Sequence, residues 1–269
     1  MLHLFGDSMV DKSERKFENL DYGSVGRPRS GKTERLKAIS YEYPCVFYYD
    51  VNEDISGDRS FYKLPDGTLI TSSIRKMLIE YRVNKKKRIV YVPKHKDDIE
   101  EFNRWLHYCY KIGKIRYKKN NKIVTVIFID EIWQFVTQHT IPLKLQELLR
   151  EGRKYNIVLF WTAQRMARMH SDIQTLTDKL YVFNLFAQDI KRLNEMTDVI
   201  DKKLLRSLDK YECILYDMND EMFYRVNADG EEIQINVKPE STEIQKSSLE
   251  HEENEKTSHE NGNSKETAH

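Results

Sequence analysis

The chain has 269 residues and a formal net charge of +1, with charged residues at 32% and hydrophobic ones at 39%. This length suffices for one α/β domain with a sizeable core, and the near-cancelled charge excludes a global field for nucleic acid, so any such partner must be met by local patches. The three cysteines, Cys45, Cys109 and Cys213, are far apart without C-x-x-C spacing, and the eight histidines form no i, i+4 pair. That pattern excludes a disulfide framework and a transition-metal site, and fits a reducing setting.

Residues 1–19 are polar and read as a short arm. They lack a basic leader with an apolar core behind it, and no run of eighteen apolar residues occurs, so the protein reads as soluble with no transmembrane segment. Residues 20–25 alternate apolar positions and predict a short strand. Next comes Gly26-Arg27-Pro28-Arg29-Ser30-Gly31-Lys32-Thr33, which fits the phosphate-loop pattern G-x-x-x-x-G-K-[ST] at every fixed position. Gly26 and Gly31 permit the backbone geometry of an anion nest, Lys32 supplies charge to β- and γ-phosphates, and the Thr33 hydroxyl is a hard ligand for Mg²⁺. Helical spacing over 33–40 adds a helix N-terminus at the same spot.

Residues 44–51 form a continuous apolar run, a strand buried on both faces that ends at Asp50. That acid either faces a nucleotide or caps the following turn, the commoner use. Residues 52–71 read as a long loop or a hairpin about Asp66-Gly67, and 72–81 as a weak helix. Four cations at 85–88 precede a strand over 89–92, and 97–112 has the stripe of an amphipathic helix. The segment KIRYKKNNK at 114–122 reads as a lysine-rich turn. Its cations Lys114, Arg116, Lys118, Lys119 and Lys122 are the candidates for contacting a DNA backbone.

A second signature is the β-branched run 123–129 ending in Asp130-Glu131. Acids at the carboxyl end of a buried strand suit a nucleotide site, with Asp130 holding Mg²⁺ and Glu131 deprotonating an attacking water. A helix over 141–152 leads through Arg153-Lys154 to a strand over 156–163 that delivers Gln164, a candidate γ-phosphate sensor. Asp50, Asp130, Glu131 and Gln164 thus converge on one sheet edge, where α/β sheets bind ligands. A strand over 180–186, helices over 188–196 and 201–208, and a hairpin of 211–217 with 222–226 complete the domain. Residues 236–269 contain no Phe, Tyr or Trp and read as a disordered tail. The expected organisation is an arm (1–19), a P-loop ATPase domain (20–235) with a mostly parallel sheet flanked by helices, a C-terminal β-hairpin, and the tail (236–269).

This order of motifs resembles the FtsK-HerA superfamily of DNA-pumping ATPases, and within it the compact viral genome-packaging ATPases. The residues that carry the likeness are Gly26 to Thr33, Ile129-Asp130-Glu131, Gly152-Arg153-Lys154 and Thr162-Ala163-Gln164-Arg165. The family's usual Ala-Thr-Gln-Arg-Pro stands here as Thr162-Ala163-Gln164-Arg165-Met166, so the proline is absent and the small residues are exchanged. The resemblance implies ATP and Mg²⁺ as ligands, a ring, usually a hexamer, and Arg153, or as second choice Arg150, reaching a neighbour's site as an arginine finger. It also implies double-stranded DNA as substrate, a capsid or membrane-vertex protein as a further partner, and a place in the host cytoplasm or virion. Two other readings of the residues stay open, a small-molecule phosphotransferase and a nucleotide-switched scaffold.

Overall fold

The computed structural model describes residues 18–57, 63–120, 122–197, 200 and 202–235. The arm expected over 1–19 lies outside them except for its last two residues, and the disordered tail expected over 236–269 lies wholly outside.

The chain begins β1 (Tyr22–Val25), α1 (Lys32–Ser40), β2 (Val46–Tyr49), β3 (Leu69–Thr71), α2 (Ile74–Arg82), β4 (Arg88–Tyr91), α3 (Ile99–Lys119) and β5 (Thr125–Ile129). It continues α4 (Leu143–Glu151), β6 (Ile157–Ala163), α5 (Ser171–Thr175), β7 (Lys179–Val182), α6 (Ala187–Thr197), α7 (Lys202–Arg206), β8 (Cys213–Asp217), β9 (Met222–Val226) and β10 (Glu232–Ile235). All strands among the described residues join one ten-stranded sheet in the order β10-β9-β8-β7-β1-β6-β5-β2-β4-β3. From β7 to β3 every pairing is parallel, and β8, β9 and β10 extend the sheet antiparallel.

The central strands β1, β2, β5 and β6 are buried along their whole length because helices cover both faces. Val126, Phe128, Val158 and Phe160 meet Leu36 of α1 in one core. The alternate residues face α3 and α4, where Tyr49, Phe102, Trp105 and Phe135 pack ring against ring, Phe102 and Phe135 stacked 4.2 Å apart. With β1, β2, β5 and β6 parallel, the phosphate loop, Asp50, Asp130, Glu131 and Gln164 all leave at the carboxyl edge.

Two expectations are corrected. The stretch 52–71 is not wholly loop, nor a hairpin: it ends in β3, which pairs parallel with β4 as the sheet's edge strand. The helix expected over 97–112 runs on to Lys119, so most of the supposed lysine-rich turn is helical. Its ends explain this: Asp98 accepts from the amides of Glu100 and Glu101, and Arg116, Lys118 and Lys119 sit in the last turn, where cations complement the helix dipole. The C-terminal hairpin is present as β8 and β9, and β10 adds to β9 as a third strand.

Candidate active site

β1 ends beneath the phosphate loop, and two hydrogen bonds fasten the loop to the sheet: the Gly26 amide donates to the Ala163 carbonyl (3.2 Å) and the Arg27 amide to that of Asn184 (2.9 Å). A Cβ on Gly26 would lie 2.6 Å from Phe183 Cβ and 2.8 Å from Ser30 Oγ, closer than side-chain atoms tolerate. Gly31 has φ 104°, the left-handed region, as it hands the chain to α1. Arg27, Pro28 and Arg29 are exposed around the loop, Arg29 at φ 62°, and Ser30 is half-buried. Lys32 is buried, its Nζ donating to the Arg27 carbonyl (3.2 Å) and lying 3.7 Å from Glu131 Oε1.

One strand, β6, separates β1 from β5, and its Thr162 and Gln164 reach between loop and acids. Thr33 Oγ1 and Thr162 Oγ1 both donate to Asp130 Oδ1, at 3.0 and 2.8 Å. Thr162 Oγ1 in turn accepts from the Glu131 amide at 2.9 Å. Asp130 is fully buried, and burial first, then the neighbouring Glu131 and Asp50, push its carboxyl up to about 8. Its Oδ2 has no hydrogen-bond partner among the described residues. An orphaned buried carboxylate oxygen beside a threonine hydroxyl is a hard-oxygen donor set that suits Mg²⁺.

Glu131 takes φ 52°, which turns its buried side chain back over the strand ends. Its Oε1 accepts from Gln164 Nε2 at 2.8 Å, and its Oε2 from the Gln164 amide at 3.1 Å and from the indole of Trp133. Lys32, Thr33, Asp130, Glu131 and Gln164 therefore come together as expected from the sequence. Asp50 does not join them, since its carboxylate accepts from the amides of Ile55 and Ser56 and from the Ser56 hydroxyl. The turn so fixed instead presents Asp54, whose pKa is raised by burial and by the charges of Asp50 and Glu131.

Asp54, Glu131, Gln164 and the loop residues wall a cavity of about 510 Å³, closed on its other side by Lys210 and Tyr211. A wider open groove of about 950 Å³ lies between α2 and α3, away from the phosphate loop, and is not the candidate site. The sequence reading missed Asp54, Thr162, Trp133, Lys210 and Tyr211. Only Thr162, two residues before the noted Gln164 and so on the same face of β6, carried a usable signal.

Two expected roles meet a different geometry. Arg153 is committed within its own subunit: its guanidinium lies 2.6 Å from Asp178 and 3.0 Å from Asp21 and also donates to the Leu176 carbonyl. Arg150 is 60% exposed, with a long pairing to Asp172 at 3.6 Å. Among the DNA-contact candidates, Lys114 lies over the rings of Tyr110 and Tyr155, and Arg116 is half-buried, whereas Lys118, Lys119 and Lys122 are exposed. All five lie toward the sheet edge opposite the phosphate loop, where α3 ends and β5 begins.

Comparison with solved structures bears on the fold. The genome-packaging NTPase B204 from Sulfolobus turreted icosahedral virus 2, in complex with AMPPCP, matches with a TM-score of 0.57 and 18% identity over 77% of this chain and 96% of that one. B204 from Sulfolobus turreted icosahedral virus, a DNA-packaging ATPase, matches with a TM-score of 0.56 and 18% identity over 77% and 96%. This chain shares their P-loop NTPase fold. VirB4 of Thermoanaerobacter pseudethanolicus matches with a TM-score of 0.53 and 11% identity over 81% of this chain and 89% of that one. The mostly parallel, helix-flanked sheet expected from the motifs is thus the fold of these solved structures too. No family model and no curated protein matches the sequence. Among the described residues, no helix is long and apolar enough to cross a membrane.

Proposed function

We propose that the protein is an ATP-hydrolysing DNA translocase, a viral genome-packaging motor that works as a ring, most simply a hexamer. The observation that carries the reading is Glu131, a buried carboxylate held by Gln164 and 3.7 Å from the phosphate-loop lysine. A phosphotransferase has no need for a water-activating acid there, whereas a hydrolase does.

In this mechanism the backbone amides of Gly26 to Thr33 cradle the phosphates, and Lys32 leaves the Arg27 carbonyl for the β- and γ-phosphates. Thr33 and Asp130 would hold Mg²⁺, whose charge would offset that of the phosphates. Glu131 takes the proton of the attacking water as the water oxygen bonds to the γ-phosphorus and the β,γ-bridging oxygen leaves with ADP. Gln164 bridges the γ-phosphate region and Glu131, so it aligns the base and reports the γ-phosphate. Arg150, with its side chain in solvent, is the better candidate to reach a neighbouring subunit. Lys118, Lys119 and Lys122 supply sequence-independent backbone contacts, and a capsid or vertex protein anchors the ring.

The test is the ATP hydrolysis rate of the full chain with and without linear double-stranded DNA across a salt series. Stimulation by DNA that fades steeply with salt is the expected result, because phosphate contacts release counterions. A rate indifferent to DNA at every ionic strength would rule out the translocase.

The cavity also makes a more local prediction. Asp54→Asn is expected to change kcat by severalfold and leave the unfolding temperature within about 2 °C, since its carboxylate faces the cavity while Asp50 fixes the turn. Parallel kinetics and thermal unfolding check both halves.

A further inference from the structure

The cavity has two unlike ends. Asp54, Glu131 and Gln164 form one, reached from β2, β5 and β6. The other is built from the opposite flank of the phosphate loop, since the sheet runs β8-β7-β1-β6-β5-β2. β8 is antiparallel to β7 with Ile214 opposite Val182, so the residues that precede β8 lie at the same edge as the loop. Two of them, Lys210 and Tyr211, line the cavity.

Tyr211 is placed with unusual care for a residue in a connecting turn. A Cβ built on Gly31 would sit 3.1 Å from Tyr211 Cδ1, so the ring abuts the second glycine of the phosphate loop. Its backbone has φ 71°, a conformation that an aromatic residue seldom takes and that persists only where neighbours impose it. They do so here. The Glu212 amide donates to the Asp209 carbonyl (3.1 Å), and the Asp209 amide donates back to Glu212 Oε2 (2.9 Å). Arg225 of β9 then locks the turn by donating to Glu212 Oε2 (2.7 Å) and to the Ser207 carbonyl (3.1 Å). Those clamp bonds touch none of the phosphate-binding groups. What they accomplish is the position of the ring.

A nucleoside triphosphate seated in the loop must direct its base out of one end of the cavity. The Asp54–Glu131–Gln164 end is polar, acidic and needed for water and the γ-phosphate. The remaining end offers an aromatic ring and an ammonium group, Lys210 Nζ lying 4.8 Å from the ring centroid. We propose that Tyr211 is the nucleobase platform of this site: the base stacks on its ring, and Lys210 adds positive charge toward the phosphates. This rests on the reading of the phosphate loop as a nucleoside-triphosphate site. A platform of this kind engages the face of a base and not its edge, so adenine and guanine nucleotides depend on it alike.

The test compares the full chain with Tyr211→Ala, Tyr211→Phe and Tyr211→Leu for binding of AMPPCP and of inorganic tripolyphosphate, each with Mg²⁺. Loss of a stacked base predicts AMPPCP affinity lower by about 5- to 100-fold in Tyr211→Ala, unchanged tripolyphosphate affinity, and near-normal binding of both by Tyr211→Phe. Tyr211→Leu keeps bulk beside Gly31 without an aromatic face and is expected to behave like Tyr211→Ala, which covers the case in which the alanine variant does not fold. Equal weakening of both ligands would overturn the proposal, because the ring would then be propping the loop, and so would unchanged AMPPCP binding. Failure of the unsubstituted protein to bind either ligand would instead overturn the phosphate-site reading itself.

Discussion

Glu131→Gln is expected to lower kcat for ATP hydrolysis by about 10²–10⁴-fold while nucleotide binding persists. The substitution keeps the size of the side chain, and its one oxygen, set where Oε2 stands, still accepts from the Gln164 amide and from Trp133, while the new NH2 meets a Gln164 side-chain amide that can turn its own oxygen to accept, so the placement at φ 52° need not change. What it removes is the carboxylate held by Gln164 beside the phosphate-loop lysine, which can take a proton from water without being a metal ligand. Binding is spared for an electrostatic reason. Glu131 is one cause of the high pKa of Asp130 and lies 3.7 Å from Lys32, so its charge opposes ionisation of the metal ligand and competes with phosphate for the lysine. Neutralising it favours both the ionised Asp130 and the lysine–phosphate contact, and the affinity for ATP should stay level or rise. Steady-state hydrolysis with direct binding of ATP to the variant separates the two terms. A kcat within about threefold of the parent would remove Glu131 from the role of base and return the phosphotransferase reading to the front.

The phosphate-loop half of this site is legible in the sequence because its chemistry coincides with its architecture. A parallel strand covered on both faces must be apolar throughout, so the polar residues that break such runs, Asp130, Glu131 and Gln164, mark the carboxyl edge of the sheet. The phosphate loop adds two glycines whose positions are forced by backbone geometry. Where that coincidence ends, so does legibility. β3 is three residues long and sits at an edge, too short for any period to show. The end of α3 is written in cations, which look like a solvated turn until their favourable place at a helix C-terminus is seen. Asp54 is delivered by a turn that Asp50 holds from below, and Lys37, fully buried, donates to the Ile55 carbonyl of the same turn. Tyr211 reaches the loop only because β8 reverses direction beside β7, a tertiary fact with no local signature.

Arg153 is where a motif-based role and the geometry part, and its replacement is expected to act on stability. Asp21 and Asp178 are both nearly fully buried, in the chain just before β1 and β7, and Arg153 is the cation that meets them. Asp21 also accepts from the Leu159 amide at 2.6 Å, so the three residues tie together the amino-terminal parts of β1, β6 and β7, at the sheet edge opposite the phosphate loop. Arg153→Ala would leave two adjacent buried carboxylates without their partner. With the arginine side chain itself 40% exposed, the expected loss is about 2–4 kcal/mol, somewhat below that for a wholly buried pair, or roughly 5–15 °C in unfolding temperature. The loss should also depend on pH. Burial raises the Asp21 carboxyl from 3.8 to about 6, against the pull of the Leu159 amide and of Arg153. A carboxyl whose folded-state pKa is raised favours the folded state fully at low pH and loses that contribution as pH rises through the folded value. In the intact protein this window spans about 4 to 6; without the guanidinium the folded pKa climbs further and the window extends upward. The deficit relative to the parent is therefore larger at pH 8 than at pH 5, measurable by thermal unfolding at the two values. Arg150→Ala gives the opposite pattern if Arg150 is the finger, with an unchanged unfolding temperature and a loss of DNA-stimulated hydrolysis of about 10³-fold. If Arg153→Ala kept its unfolding temperature and lost hydrolysis instead, the guanidinium would have to leave Asp21 and Asp178 for a neighbouring subunit, and the finger would belong to Arg153.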